Sequence, residues 1–140
     1  MTTPFIIDTS SLPKCFPIFQ ELRPHLTDLS VFCDQVACQA REGYEIAAIP
    51  EGEHIVGCVG YREMTTLAWG KILYIDDLIV AASARGKGYG KTLLTFVKEQ
   101  AVQKGCAQLH LDTGYHRHAA HRLYLSLGFD LNCHHLCLTL

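Results

Sequence analysis

Three glycines at alternate positions, in Arg85-Gly86-Lys87-Gly88-Tyr89-Gly90-Lys91, stand between a strand-like run ending Leu78-Ile79-Val80 and a helical stretch. That stretch has Leu93, Leu94, Val97, Ala101 and Val102 inward, Lys98, Glu99 and Gln103 outward, and Gly105 as its stop. A plain strand-to-helix turn needs fewer glycines. Glycine lets backbone approach a ligand closely, and a helix start offers unpaired N–H groups at the positive end of its dipole. The segment therefore reads as a site for a phosphate-bearing ligand, with Lys87 and Lys91 adding positive charge at the rim. The dinucleotide pattern G-x-G-x-x-G fails, because its third glycine falls on Lys91. The mononucleotide pattern G-x-x-x-x-G-K-[ST] fits Gly90-Lys91-Thr92 but puts Arg85 where its first glycine belongs.

Around this unit, strand and helix patterns alternate. Phe5-Ile6-Ile7 reads as a short strand. Ser11, ahead of Pro13 and the stripe Phe16, Phe19, Leu22, reads as the cap of a helix that Pro24 stops. Asp28 caps a second helix with Leu29, Phe32, Cys33, Val36, Ala37 and Ala40 on one face, ended by Gly43. Tyr44 to Ile49 and His54 to Arg62 flank Pro50-Glu51-Gly52-Glu53 as a hairpin. Met64 to Gly70 reads as a second connection, and Ile72 to Val80 as a strand interrupted only by Asp76-Asp77. Leu109 to Asp112 is a strand, and Ala119, Ala120, Leu123, Tyr124 and Leu127 mark a helix that Gly128-Phe129 closes in Schellman fashion. In the tail from Cys133, Leu136, Leu138 and Leu140 alternate onto one face. The pattern predicts one α/β domain over residues 1–140, a mixed sheet with helices on both faces.

Composition narrows the function. Hydrophobic residues are 49% of the 140 and charged ones 19%, which excludes disorder as the main state and suits one core. A net charge of −2 without a basic stripe argues against a nucleic-acid partner. No apolar run reaches ~18 residues, so no membrane span is expected. Met1-Thr2-Thr3-Pro4 has neither the charged nor the long apolar region of a secretory signal, so a cytoplasmic location is expected. The seven cysteines, among them Cys15, Cys33, Cys38, Cys58 and Cys106 in apolar runs, read as reduced, buried small hydrophobes.

Arg85, Gly88 and Gly90 also give Arg-x-x-Gly-x-Gly. With Tyr74-Ile75-Asp76-Asp77-Leu78-Ile79-Val80 before the loop and Ala120-His121-Arg122-Leu123-Tyr124-Leu125-Ser126-Leu127-Gly128-Phe129 after it, the chain resembles the GNAT superfamily of acetyl-coenzyme A-dependent N-acetyltransferases over nearly its whole length. Arg117 to Tyr124 is similar to a segment of the aminoalkylphosphonate N-acetyltransferases. The resemblance implies a GNAT fold: a mixed, mostly antiparallel sheet in which two parallel strands splay to hold coenzyme A. It implies acetyl-CoA as co-substrate, with the pyrophosphate on the backbone of Gly86, Lys87, Gly88, Tyr89, Gly90 and Lys91, beside Arg85. The pantetheine amides would run along Leu78, Ile79 and Val80, and the Val80 N–H matches the position that polarises the acetyl oxygen. Many members carry Asn seven residues before the tyrosine; here that residue is Arg117, whose guanidinium can reach a phosphate instead.

Acetyl transfer to an amine needs a deprotonated amine, a polarised thioester carbonyl and a proton for the leaving thiolate. No cysteine sits in a nucleophile context with a paired base, so direct attack is expected. Tyr124 matches the general acid of many family members. Its plainer reading is a core aromatic, but a buried hydroxyl wants a partner. Asp76 and Asp77 interrupt an apolar strand, which is costly without partners. Successive strand residues face opposite ways, so the two are expected on opposite faces. Asp76 matches the acidic base of polyamine-type relatives and is expected to take the proton. Asp77 is expected to line the acceptor site or satisfy a helix terminus. The plainer reading gives both only buried hydrogen bonds.

The acceptor expected is a small-molecule amine, or a lysine or N-terminal amine of a protein, and superfamily habit implies a homodimer. His110, His116, His118, His121, His134 and His135 cluster late in the chain with Cys133 and Cys137, but no C-x-x-C pair forms and no metal is expected. His118 and His121 are spaced to hold a metal or a substrate anion together. Tyr61, Met64 and Trp69 suit the acceptor pocket and an ordinary core equally. Two rival classes stand beside this reading. A P-loop nucleotide hydrolase around Gly90-Lys91-Thr92 would need magnesium-dependent nucleotide binding. A non-catalytic acyl-CoA sensor would have no need of Tyr124 and the two aspartates.

Overall fold

The computed structural model describes residues 2–140. Its elements run β1 (Phe5–Ile6), α1 (Leu12–Leu22), α2 (Leu29–Ala40), β2 (Glu45–Glu51), β3 (His54–Thr66), β4 (Gly70–Val80), a 3-10 turn (Ala82–Ala84), α3 (Tyr89–Gln103), β5 (Gln108–Leu111) and α4 (His118–Ser126). The chain forms two compact units, one through His110 and one from Leu111 onward.

The sheet has the order β1-β2-β3-β4-β5, antiparallel as far as β4. β4 and β5 are parallel, and α3 is the crossover that a parallel pair requires. Helices cover both faces, as the alternating pattern predicts. Leu12, Cys15, Ile18, Phe19 and Phe32 of α1 and α2 pack with Tyr44, Ile46, Ala48, Cys58 and Ile79. Gly57 faces the other way from Cys58, and a Cβ there would lie 3.1 Å from Leu93 Cδ1 of α3.

Several local signals act as expected. The Asp28 carboxylate accepts from the Val31 N–H at 3.0 Å. At the end of α4, Gly128 N–H donates to Leu125 O and Phe129 N–H to Tyr124 O, both at 3.1 Å, which is the Schellman pair. Ser11 does not cap α1 with its side chain; its N–H donates instead to the Asp8 carboxylate at 3.0 Å.

Other expectations are corrected. The connection read at Met64 to Gly70 is mostly strand, because Met64, Thr65 and Thr66 pair with Ile72, Lys71 and Gly70 and the turn is only Leu67 to Trp69. Backbone pairing carries this hairpin past the core, where side chains leave no apolar signal. Val102 is 71% exposed: it stands about 100° round the helix from buried Ala101. The tail forms no strand, and Leu136, Leu138 and Leu140 are exposed, since alternation makes a strand only where a partner strand accepts it. Cys15 and Cys58 are buried, but Cys38, Cys133 and Cys137 are exposed.

The feature that matters most for function is a bulge. Tyr61 pairs with Ile75 and Gly60 with Asp77, so Asp76 is an extra residue in β4. Beside it, Gly60 leaves room for the Tyr44 ring: a Cβ there would lie 2.7 Å from Tyr44 Cε1 and closer still to its hydroxyl. Gly60→Ala is therefore expected to cost about 1–3 kcal/mol by overpacking. Gly57→Ala, which meets the flexible end of Leu93, should cost less. Urea denaturation of the two variants checks this, and equal losses would contradict the Tyr44 notch.

Candidate functional site

The glycine loop is built as an open helix start. Gly86 and Gly88 have φ of +80° and +84°, the left-handed region that side chains disfavour. Gly88 immediately precedes α3, and the Thr92 N–H closes the first helical bond to Gly88 O at 3.1 Å. The N–H groups of Tyr89, Gly90 and Lys91 precede that bond and have no acceptor within the helix. Arg85 Nε donates to Val80 O at 3.4 Å, tying the loop to the end of β4, and the Ala82 N–H donates to Glu21 of α1 at 3.1 Å. Lys87 Nζ lies 3.2 Å from the Glu51 carboxylate, to which the Tyr89 hydroxyl also donates. Those two donors hold Glu51 below its ordinary value. Leu78 and Ile79 are buried in β4 and Val80 is half-buried where the strand ends.

Upstream on the same strand, a cavity of about 250 Å³ opens between α1, α2 and β4, and both Asp76 and Asp77 line it. This corrects the expectation that they face opposite ways: the bulge at Asp76 breaks the alternation. Arg62 grips Asp76 with two bonds, Nε to Oδ1 at 3.0 Å and Nη2 to Oδ2 at 2.7 Å. Its Nη1 donates to Glu42 at 3.0 Å, and its guanidinium lies 5.4 Å from the Tyr44 ring centroid. Asp77 Oδ1 accepts from Arg23 Nε at 3.1 Å and Nη2 at 2.9 Å, and Oδ2 accepts from the Tyr44 hydroxyl at 2.6 Å. Arg23 Nη2 also donates to the Asp76 carbonyl at 3.1 Å.

Burial pushes the Asp76 carboxyl up, against the opposing pull of Arg62. Burial and the neighbouring Asp77 push the Tyr44 phenol well up. Tyr61 is fully buried outside this cavity; burial raises its phenol, and its hydroxyl has no hydrogen-bond partner among the described residues. Trp69 packs on His110, ring centroids 4.2 Å apart, and neither it nor Met64 lines the cavity. Arg23, Tyr44 and Arg62 were missed by sequence reasoning. The signal was the pair of acids in an apolar strand, which demands partners without saying from where.

In the second unit, Tyr124 is buried on α4, its ring 5.8 Å from that of Phe129. Burial raises its phenol and the charge of Arg117, just before α4, opposes this. His118 and His121 stand edge to face at 6.1 Å, and His121 Nε2 lies 2.8 Å from Gly114 O. His135 Nδ1 lies 3.2 Å from Asp112 and His134 Nδ1 3.3 Å from the Tyr115 hydroxyl. Among the described residues no three His, Cys, Asp or Glu side chains gather around a common metal position, and no helix is long and apolar enough to cross a membrane.

Residues 9–129 match the acetyltransferase (GNAT) family. An uncharacterized N-acetyltransferase of Bacillus subtilis, YhdJ, is 33% identical over 120 residues, covering 84% of each chain. The aminoalkylphosphonate N-acetyltransferase of Salmonella typhimurium is 38% identical over 55 residues, 39% of this chain and 36% of that one. Among solved structures, AAC(6')-Iy in complex with the bisubstrate analog CoA-S-monomethyl-acetylneamine superposes with a TM-score of 0.85 at 15% identity, over 99% of this chain and 97% of that one.

The tyrosines supply a test. A phenol whose folded pKa is raised contributes stability that is complete below the unfolded value of about 10 and is lost as pH rises through the folded value. Stability should therefore fall above that pH, with late growth of tyrosinate absorbance. Tyr44→Phe should cost about 1–3 kcal/mol at neutral pH by leaving Asp77 Oδ2 without its donor, and should flatten the alkaline fall. Denaturant titrations across pH check this; an alkaline fall unchanged in the Phe variant would contradict it.

Proposed function

The chain belongs to the GNAT acetyltransferase family, and on that premise we propose that it transfers acetyl from acetyl-coenzyme A directly to a primary amine held in the cavity at Asp76 and Asp77. One observation carries this reading: a single strand, β4, links a cavity with two carboxylates to a loop with free helix N–H groups. Four residues of extended chain, roughly 13 Å, separate Asp76 from Val80. That is the stretch a pantetheine arm lying along Leu78, Ile79 and Val80 would follow.

The roles follow from chemistry. The N–H groups of Gly86, Lys87, Gly88, Tyr89, Gly90 and Lys91 bind the pyrophosphate, and Arg85 braces the loop. Lys87 leaves Glu51 for the phosphate. Asp76 takes the ammonium proton, directly or through water, and Asp77 orients the acceptor. The amine nitrogen then bonds the acetyl carbon, whose oxygen is polarised by the Val80 N–H. As the carbon–sulfur bond breaks, Tyr124 gives its proton to the thiolate, the nitrogen sheds its remaining excess proton through water to restore the phenol, and Arg117 serves the coenzyme or the charge around Tyr124. No bound metal takes part in this scheme, and a cytoplasmic location accords with it.

The acceptor is a small amine, or an extended lysine side chain or N-terminal amine of a protein. The Salmonella typhimurium relative, named for aminoalkylphosphonates, supports the small-amine end of that range. A nucleotide hydrolase is disfavoured by Arg85 and by the family match, and a mere sensor by the retained carboxylate pair.

Free-thiol release from acetyl-CoA across a panel of primary amines tests the activity, and Tyr124→Phe tests the acid. The Phe variant should bind acetyl-CoA nearly as well as wild type, because the hydroxyl acts on a thiolate that exists only as the thioester breaks. Its turnover should fall by ~10²–10⁴. A Phe variant with full turnover would leave Tyr124 as packing, and a wild type that releases no thiol with any amine would overturn the proposal.

A further inference from the structure

We infer that the cavity selects primary amines whose far end carries an anionic group, and that Arg23 is the residue that reads it; this rests on the cavity being the acceptor site. Both carboxylates at its wall are already held by guanidiniums: Asp76 by Arg62, which reaches it from β3 and also holds Glu42, and Asp77 by Arg23, which lines the cavity itself. Both oxygens of each carboxylate are already bonded, the fourth by the Tyr44 hydroxyl. A second positive charge on an incoming amine would find no unspent carboxylate and two guanidiniums nearby. A molecule with one ammonium and one anion offers its second charge a guanidinium instead, and Arg23 is the guanidinium that lines the cavity.

Depth gives the pattern a direction. The Asp77 side chain is 14% exposed and that of Arg23 is 44% exposed, so the carboxylate lies inward and the guanidinium outward. An ammonium that shares an oxygen of Asp77 weakens that oxygen's hold on Arg23. The guanidinium then gains from a second anion, and charge-assisted pairs of this kind are the strong ones. Its bonds to Asp77 and the Asp76 carbonyl run through Nε and Nη2, so Nη1 takes no part in them. Arg62 is not equivalent: it is 19% exposed, and Asp76 and Glu42 engage all three of its nitrogens.

The neighbours supply further donors for an anion. His25 stands two residues after Arg23, and Gln35 and Gln39 lie one turn apart on α2; all three line the cavity. Arg23 itself sits at the end of α1 against Pro24, which restricts its backbone. A cavity of about 250 Å³ suits a molecule of amino-acid size.

Three amines of matched length separate the possibilities: 6-aminohexanoate with an anionic end, hexylamine with a neutral one and 1,6-diaminohexane with a cationic one. Each is assayed with acetyl-CoA by thiol release. 6-Aminohexanoate should exceed both others in kcat/KM by about tenfold or more. Arg23→Gln should bring the ratio of 6-aminohexanoate to hexylamine close to one, and Arg23→Lys should retain part of it. The ratio cancels any general loss from depriving Asp77 of its cation. A preference for the diamine, or a ratio that survives Arg23→Gln, would overturn the inference and leave the acceptor site standing. Thiol release with none of the three would also overturn the inference, since the anionic-ended amine it names would then be no substrate; the acceptor reading falls only when no amine of the wider panel releases thiol.

Discussion

Asp76 is the residue that β4 carries in excess of β3, and its insertion turns two neighbouring carboxylates toward one cavity. The surrounding arrangement answers the cost of that placement. Half-buried carboxylates gain from charge partners and filled lone pairs. Arg62 supplies a planar two-pronged grip that lysine would not match. Arg23 comes from just past the end of α1, and Tyr44 from just before β2. Tyr44 reaches Asp77 only because Gly60, opposite the bulge, has no side chain. The bulge, the glycine notch and the two ion pairs thus depend on one another.

β4 then joins this cavity to the other half of the proposed chemistry. Its apolar end, Leu78 to Val80, leads into a loop whose two left-handed glycines turn the backbone into the open start of α3. The loop's positive rim is balanced by Glu51 from the β2–β3 hairpin, which holds Lys87 and Tyr89. Exposed ion pairs of this kind are weak, so Glu51 is a replaceable partner for Lys87. Family membership fixes the reaction class.

Much of this was legible in the sequence, because the informative signals are local. The glycine loop, the Asp28 cap and the Gly128-Phe129 ending each depend on a few adjacent residues, and each forms in the structure. What was not legible is long-range or depends on register. A bulge has no composition of its own, so strict alternation put Asp76 and Asp77 on opposite faces. Arg23 and Arg62 lie 54 and 14 residues from the acids they hold, and no pattern in one chain pairs them. The tail shows the reverse error: Leu136, Leu138 and Leu140 carry a strand's alternation without a strand to pair with.

The most direct test of whether the bulge makes Asp76 the proton acceptor is the pH dependence of turnover in Asp76→Asn and Asp77→Asn. Asparagine keeps the size of the side chain but takes no proton. Asp76→Asn should lower turnover by ~10²–10⁴ near neutral pH. The deficit should shrink as pH rises, because free amine becomes plentiful without help. Asp77→Asn should instead raise KM with little change in that pH dependence. The opposite result, a pH-dependent loss in Asp77→Asn and none in Asp76→Asn, would contradict the account.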